Sequence, residues 1–352
     1  MASREDAARG GVRLGGGMEI ERVDVAGSPE IVGACYEILR TAQPVDDPDG
    51  PPISRRMFER WMEKSWNGDP QEMWVALGEG DDGVVGWYLL HLPAADNLHM
   101  ASFNVTVRQD RLRQGLGTAL LRHGAARALD ERRSLIHSWA RDGSRGEAFA
   151  RSRGATGGIA QLRRVLELDA AAADRLGELR AAAESAAAGY RLVSWISPTP
   201  EEYLDQVAAL HNALADAPHD ASWHPPSWDA ERIRKAERWT ERRGIRMYTV
   251  AAWHEGGGEL GGLTEVGVEA ELPDWGFQEL TAVARAHRGH RLGLLLKIAM
   301  QEWLAEAEPQ LRRILTGNAG ANEHMIAINE ALGYQLSGPP FRSWEFQVAD
   351  LV

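Results

Sequence analysis

The sequence predicts an α/β protein built from two tandem copies of one domain, and three observations lead to it. The chain has 352 residues, against roughly 100–200 for an ordinary domain. Residues 104–121 read NVTVRQDRLRQGLGTALL and residues 280–297 read LTAVARAHRGHRLGLLLK, so a shift of 176 positions carries Val107 to Val283, Leu116 to Leu292 and Gly117 to Gly293. Between the copies lies an Ala/Glu/Arg-rich stretch, 170–188, of strong helix formers. Hydrophobic residues make up 44% of the chain and charged residues 26%, enough apolar material for two cores and too much for a disordered chain.

Taken in order, residues 1–17 are Gly/Arg-rich without periodicity and are expected to form a flexible tail. The first copy is expected over 18–169. Each repeat is an apolar, β-branched strand, a polar and basic turn with glycine, and an amphipathic helix. In the first copy the repeat is followed by a strand at 134–140, a short helix ending at Gly154 and Ala155, and a last strand at 161–168. The helix at 170–188 is expected to link the copies. The second copy is expected over 189–352, with strands near 191–195, 246–253, 260–268, 277–284 and 312–316. Its helices are expected near 201–215, 229–242, 292–306 and 322–331, ending at Gly333 and Tyr334.

Charge and cysteine usage narrow the function classes. Thirty-nine basic against 51 acidic residues leave a net charge of −12, a poor match for nucleic acid or an anionic membrane. The single cysteine, Cys35, excludes an internal disulfide and fits a reducing compartment, and a buried thiol is expected there rather than a nucleophile. No apolar run approaches the roughly 18 residues of a membrane span, and no signal-like apolar region opens the chain. The expectation is a cytoplasmic enzyme, monomer or homodimer, whose partner is a small molecule.

The basic turn is the strongest chemical signal. His287, Arg288, Gly289, His290, Arg291, Leu292 and Gly293 precede a helix, where cations face the positive end of the helix dipole. That placement makes sense when an anion sits there, held by main-chain N–H groups, the dipole and the arginines together. The first copy repeats the pattern with Arg108, Arg111 and Arg113 before Gly115, Leu116 and Gly117. Neither turn carries GxxxxGK[ST] or GxGxxG, which sets aside the Walker and dinucleotide loops. An ordinary exposed basic turn is the competing explanation, weakened by its duplication in one strand–turn–helix context.

These turns resemble the acyl-CoA loop of the GCN5-related N-acetyltransferase (GNAT) superfamily, [QR]-x-x-G-x-[GA] between a strand and a helix. Leu112-Arg113-Gln114-Gly115-Leu116-Gly117 departs from the pattern at Leu112, and Arg288-Gly289-His290-Arg291-Leu292-Gly293 departs at Arg291. The layout is similar to tandem acetyltransferases of the class that includes mycothiol synthase. The resemblance implies two GNAT-like domains, each a mixed, mostly antiparallel sheet flanked by helices, with acetyl-CoA or CoA as cofactor. It places Thr281, Val283, Leu292 and Leu294 beside Arg288, Gly289, His290, Arg291 and Gly293 on the cofactor. In the first copy it places Val107, Arg113, Gly115, Gly117 and Thr118 on the equivalent surface.

The second copy is expected to be the catalytic one. Family members often carry a carboxylate on the strand before the loop, and Glu279 stands there, nine residues before Arg288. Two-residue alternation puts Thr281 and Val283 on its face. The first copy has Phe103, Val105 and Val107 instead. A solvated edge carboxylate or an ion-pair partner is the alternative for Glu279, and Glu265 is the second candidate base. A bulge opening the sheet for the pantetheine arm, and a main-chain N–H near Val283 polarising the thioester carbonyl, are expected too. The family pattern N-x6-Y-x3-G-[FY] is met by Asn322, Gly333 and Tyr334, but Asn329 takes the tyrosine position; the first copy has Gly143, Ala150, Gly154 and Ala155. Asn322 is expected to face the pantetheine arm and Asn318 to be a cap or cofactor contact. The general acid stays open between Tyr334, water and an unassisted thiolate.

The segment from 216 to 228 is expected to cover the acceptor, with Asp216, His219, Trp223 and His224 touching it. Its histidines and carboxylates lack a structural zinc spacing, so no metal is expected. The overall expectation is an acyl-CoA-dependent N-acyltransferase acting on a small primary amine. A longer acyl donor on a specialised metabolite, or an acyl-CoA-sensing module without turnover, are the alternatives.

Overall fold

The computed structural model describes residues 12–13, 19–63, 65, 67–216 and 218–352. They divide into two compact units: one is Met1–Gly158 with Phe341–Val352, the other Ile159–Pro340. Of the expected tail, Val12–Arg13 is a strand, β1, antiparallel to the segment at Ile20 and Glu19. The remainder of 1–17 lies outside the described residues.

The chain continues with β2 (Glu19–Arg22), α1 (Pro29–Asp46), α2 (Arg55–Glu63), β3 (Gln71–Leu77), β4 (Val84–His91) and β5 (Met100–Val107). Then come α3 (Leu116–Asp130), β6 (Leu135–Arg141), α4 (Arg145–Ser152), β7 (Thr156–Glu167) and α5 (Ala170–Ala186). The second repeat supplies β8 (Tyr190–Ile196), α6 (Leu204–Asn212), α7 (Ala230–Arg242), β9 (Ile245–His254), β10 (Glu259–Glu269) and β11 (Trp275–Val283). It ends with α8 (Leu292–Ala307), β12 (Arg313–Ala319), α9 (Glu323–Ala331), β13 (Gln335–Leu336) and β14 (Phe341–Gln347). These bounds follow the expected elements of the second copy to within a few residues.

In the first unit the strand order is β1-β2-β3-β4-β5-β6-β14, antiparallel except for β5 and β6. In the second it is β8-β9-β10-β11-β12-β7, antiparallel except for β11 and β12, with β13 on β7. The strand expected to end the first copy, 161–168, therefore pairs in the second unit, from Arg313↔Glu167 to Ala319↔Gln161. Correspondingly, β14 closes the first unit against β6. Each unit is completed by the strand that follows the other repeat, so boundaries at 169 and 189 do not delimit the units. Strand character is local, but the partner is chosen by register and burial, and two copies of one fold offer equivalent edges.

Each sheet is covered on both faces. In the first unit Val32, Cys35, Ile38, Phe58 and Met62 of α1 and α2 pack on Met73, Val75 and Trp87. On the other face Leu116, Leu120, Leu121 and Ala125 of α3 meet Tyr88, Leu90, Phe103 and Ile136. In the second unit α6 and α7 bring Leu204, Val207, Leu210 and Ile233 onto Leu263, Leu280 and Ala282. Opposite them Leu292, Leu295, Leu296, Ile298 and Leu304 of α8 meet Tyr248, Val250, Val266 and Val268. The helix α5 is more than a linker, since Leu176 and Ala183 are buried in that second core and Arg180 bonds Glu302 of α8. Among the described residues no helix is long and apolar enough to cross a membrane.

Candidate active site

The site is built where β11 parts from its neighbour. Parallel pairing with β12 runs from Trp275↔Arg313 to Gln278↔Thr316 and then stops, while β12 continues along β7 to Ala319. A wedge opens beyond Gln278, and the edge of β11 along it presents main-chain groups that β12 does not take up. At the same point the β10–β11 register slips, from Glu265↔Leu280 to Val266↔Gln278, so Glu279 is the extra residue of a β-bulge.

The bulge corrects the expected alternation. Gln278 bonds to Lys297 of α8, and Thr281 lies 4.0 Å from the place a Gly293 side chain would take, so both face α8. Leu280 packs with α6 and α7 instead. The charges acting on Glu279 also come from that side: Glu265 of β10 and Arg243 at the end of α7. Glu279 therefore does not share the face of Thr281 and Val283. The residue is exposed, yet the protein crowded around its carboxyl pushes its pKa up to about 7, helped by Glu265 and opposed by Arg243.

Glu265 has a neighbour that the sequence analysis did not single out. His211, on the last turn of α6, places Nε2 at 3.5 Å from Glu265 Oε2. Its ring lies 4.8 Å from that of Trp228, and Asn212 holds the Trp228 backbone through hydrogen bonds of 2.8 and 2.9 Å. A lone histidine in an amphipathic helix carries no signal of its own; the link to Glu265 exists only in three dimensions.

Beyond Val283 the basic turn leads into α8. Gly289 and Arg291 both adopt left-handed backbone, φ 90° and 53°, and the first copy matches them with Arg113 at 61° and Gly115 at 86°. Glycine tolerates this conformation freely; arginine does so at a cost of roughly 1 kcal/mol. The two turns thus share one backbone path with glycine and arginine exchanged, a constraint that outlasts the residue identities. The first N–H groups of α8 have no partner within the helix, and Arg288, His290 and Arg291 are exposed beside them. His287 is not part of this surface: it is buried, bonded to the Tyr190 hydroxyl at 2.8 Å and 3.4 Å from Glu259. Leu292 is core, Leu294 half-buried, and Gly293 lets β11 and Ile328 of α9 approach the helix. This set of donors suits the pyrophosphate of CoA, and the wedge beside it suits an extended arm.

The asparagines are arranged differently from the expectation. Asn322 caps α9, its Oδ1 accepting from Met325 N–H at 3.2 Å, so the oxygen of its side chain is taken up by the helix end. Asn318, at the end of β12, accepts at 2.7 Å from the amide of the fully buried Asn329, whose own oxygen has no hydrogen-bond partner among the described residues. Tyr334 is buried, with its ring 5.0 Å from the Lys297 ammonium, and burial pushes its phenol further from ionisation. That makes it a packing residue and a weak proton donor.

On the acceptor side, His219 and Trp223 meet edge to face at 5.4 Å, His224 is exposed, and Asp220 accepts from Ile159 N–H at 2.6 Å, pinning the segment to β7. The side chain of Asp216 lies outside the described residues. Among the described residues no group of three His, Cys, Asp or Glu side chains is arranged to hold a metal.

The first unit has the same wedge without the chemistry. Pairing of β5 with β6 ends at Ser102↔His137, but β4 and β5 stay in unbroken register and Phe103 is buried against Tyr88. Arg108 and Arg111, read from the sequence as phosphate ligands, are bound to Asp82, with Asp110 also on Arg108. Arg113 and Gly115 stay exposed, and Val107, Gly117 and Thr118 are half-buried. Arg141, buried at the end of β6, bonds Asp47 at 2.6 Å and Asp49 at 2.9 Å and so ties down the α1–α2 connection.

Residues 32–154 match the acetyltransferase (GNAT) family. No curated protein matches the sequence. Among solved structures, the chain is similar to a tandem GNAT protein from the clavulanic acid biosynthesis pathway: 27% identity, TM-score 0.77, covering 94% of this chain and 98% of that one. It shares its fold with a GCN5-related N-acetyltransferase from Sphaerobacter thermophilus at 14% identity and TM-score 0.63, over 94% and 96% of the two chains. It also shares it with the N-myristoyltransferase of Saccharomyces cerevisiae at 11% identity and TM-score 0.62, over 99% and 84%. Both units thus carry a splayed sheet and a left-handed basic turn, the second with a bulge as well; residues 32–154 match the GNAT family, and over nearly its whole length the chain is similar in layout to a tandem GNAT protein.

Proposed function

We propose that the second unit transfers an acyl group, acetyl first among candidates, from CoA to the amine of a small molecule, by direct attack with both substrates bound. The observation that carries this is Glu279: a carboxyl of raised pKa, placed by a bulge at the mouth of the wedge, nine residues before an anion-binding turn. Bound acyl-CoA supplies the activated thioester carbonyl. Arg288, His290, Arg291 and the N–H groups opening α8 hold its pyrophosphate, and Thr281, Val283 and Asn318 line the course of its arm. Main-chain N–H groups on the free edge of β11 stabilise the developing oxyanion. Glu279 takes the proton of the amine, directly or through water, at a pKa suited to neutral pH. Glu265, beside it and in contact with His211, adds negative charge that favours a cationic acceptor, as does the net charge of −12. The first unit, with Phe103 in place of the carboxylate, acts as scaffold.

The likeness to a clavulanic acid pathway protein supports a specialised-metabolite amine as the acceptor class. Asn329 in the tyrosine position and the buried Tyr334 favour a second reading, acyl-CoA sensing without turnover. Release of free thiol from acetyl-CoA and longer acyl-CoAs across a panel of primary amines separates the two. Amine-dependent release with at least one acceptor is expected; tight CoA binding with no release from any pair would overturn catalysis in favour of sensing.

A further inference from the structure

A buried lysine stands in an apolar helix with no carboxylate among the described residues to balance it. Lys297 is 2% exposed on α8, among Leu292, Leu295, Leu296, Ile298 and Met300. Its partners among the described residues are Gln278 Oε1 at 3.0 Å and the face of Tyr334 at 5.0 Å. Burying an ammonium this way is costly, and burial lowers its pKa to about 7. A leucine or methionine would fill the same space without that cost.

Gln278 shows where the lysine acts. Its amide nitrogen donates to Glu265 O at 2.6 Å, Leu280 O at 2.9 Å and Thr264 Oγ1 at 3.0 Å. The two carbonyls belong to Glu265 and Leu280, the last register pair before the slip, so the amide of Gln278 on the far side of the bulge ties back to the ladder where it is interrupted. Thr264 extends the network through Thr281 Oγ1 at 2.8 Å. An amide can bridge this way in one orientation only, nitrogen toward the carbonyls and oxygen toward α8. A lysine is a donor, so it selects that orientation. The first unit is an internal comparison: a shift of 176 positions puts Leu121 at the lysine and Ser102 at the glutamine, and there the register is unbroken.

From this geometry we infer that Lys297 is a positioning residue for the acyl-transfer site, locking the Gln278 amide that holds the bulge and so fixing where Glu279 points. Lys297 touches neither substrate; it acts through Gln278. The inference rests on the proposed function for its catalytic consequence, but not for its structural one.

The test uses the full chain with Lys297→Met, which keeps length and removes the donor, and Lys297→Gln, whose amide can donate again. Backbone amide exchange in the peptide 275–284, the melting temperature, CoA affinity and turnover with an active amine are followed together. Lys297→Met is expected to speed exchange around 278–281 and to lower kcat by about ten- to hundredfold, as misplacement of a reacting group does. CoA affinity and melting temperature should hold, and Lys297→Gln should restore most of both losses. Unchanged β11 exchange in Lys297→Met overturns the inference, as does loss of CoA affinity in step with kcat. If Lys297→Met does not fold, Lys297→Gln decides: near-wild-type exchange and kcat support the lock, and fast exchange in a stable Lys297→Gln overturns it. If the wild type turns over no amine, the proposed function falls while exchange still decides the role of the pair.

Discussion

Glu279→Gln lowers kcat by about 10²–10⁴, the usual worth of a positioned general base, while leaving CoA affinity and the fold in place. The side chain keeps its shape, the bulge is held by Gln278 rather than Glu279, and the carboxylate lies off the face of Thr281 and Val283. Stability gives a control of known sign. The carboxyl pKa is raised in the folded state, so between the ordinary carboxylate value and about 7 the folded chain binds more protons than the unfolded. Its contribution is present at low pH and is lost as pH rises through that window. Glu279→Gln should therefore be no less stable than wild type above pH 7, and a fall in kcat there cannot be unfolding. Phe103→Leu, at the matching position of the first unit, should lower stability by about 1 kcal/mol and leave kcat largely intact.

The double variant Arg288→Ala with Arg291→Ala weakens CoA binding by about 10²–10⁴-fold, since two charge-assisted phosphate bonds of roughly 1.5–3 kcal/mol each are removed. Both side chains are exposed, so the core does not depend on them. The loss should shrink in high salt, because exposed charges are screened. Matching changes at Arg108 and Arg111 should act on stability instead, as those arginines are held by Asp82 and Asp110. Calorimetric titration with CoA reads the affinities and thermal unfolding the stabilities, and an unchanged affinity in the double variant would remove the turn from the cofactor site.

Much of the fold was legible because its signals are local. The repeat, the helices at 292–306 and 322–331 and the strand ending at Val283 announce themselves by periodicity, glycine and flanking polarity. The exchange of β7 and β14 was not legible, because pairing partners are long-range and the two repeats present equivalent edges. In the site, Glu279 and the basic turn were found through residue type and spacing. The orientation of Glu279 was missed, since one inserted residue in β11 breaks the alternation on which a face is assigned. Asn322 carried a family pattern, and its side-chain oxygen also caps α9. His211 and Lys297 gave no warning: one gains meaning from Glu265, the other from Gln278, and both pairings form only when distant elements pack.

The pH dependence of kcat/KM for the acceptor, at saturating acetyl-CoA between about pH 5 and 9, tests the central claim that Glu279 of the second unit is the base. The wild-type rate should rise as pH passes about 7, where Glu279 loses its proton. Glu265→Gln, which takes away the neighbouring negative charge, should shift that rise to lower pH, and Glu279→Gln should abolish it at a far lower rate. A Glu279→Gln profile with the wild-type rise and the wild-type plateau would contradict the account.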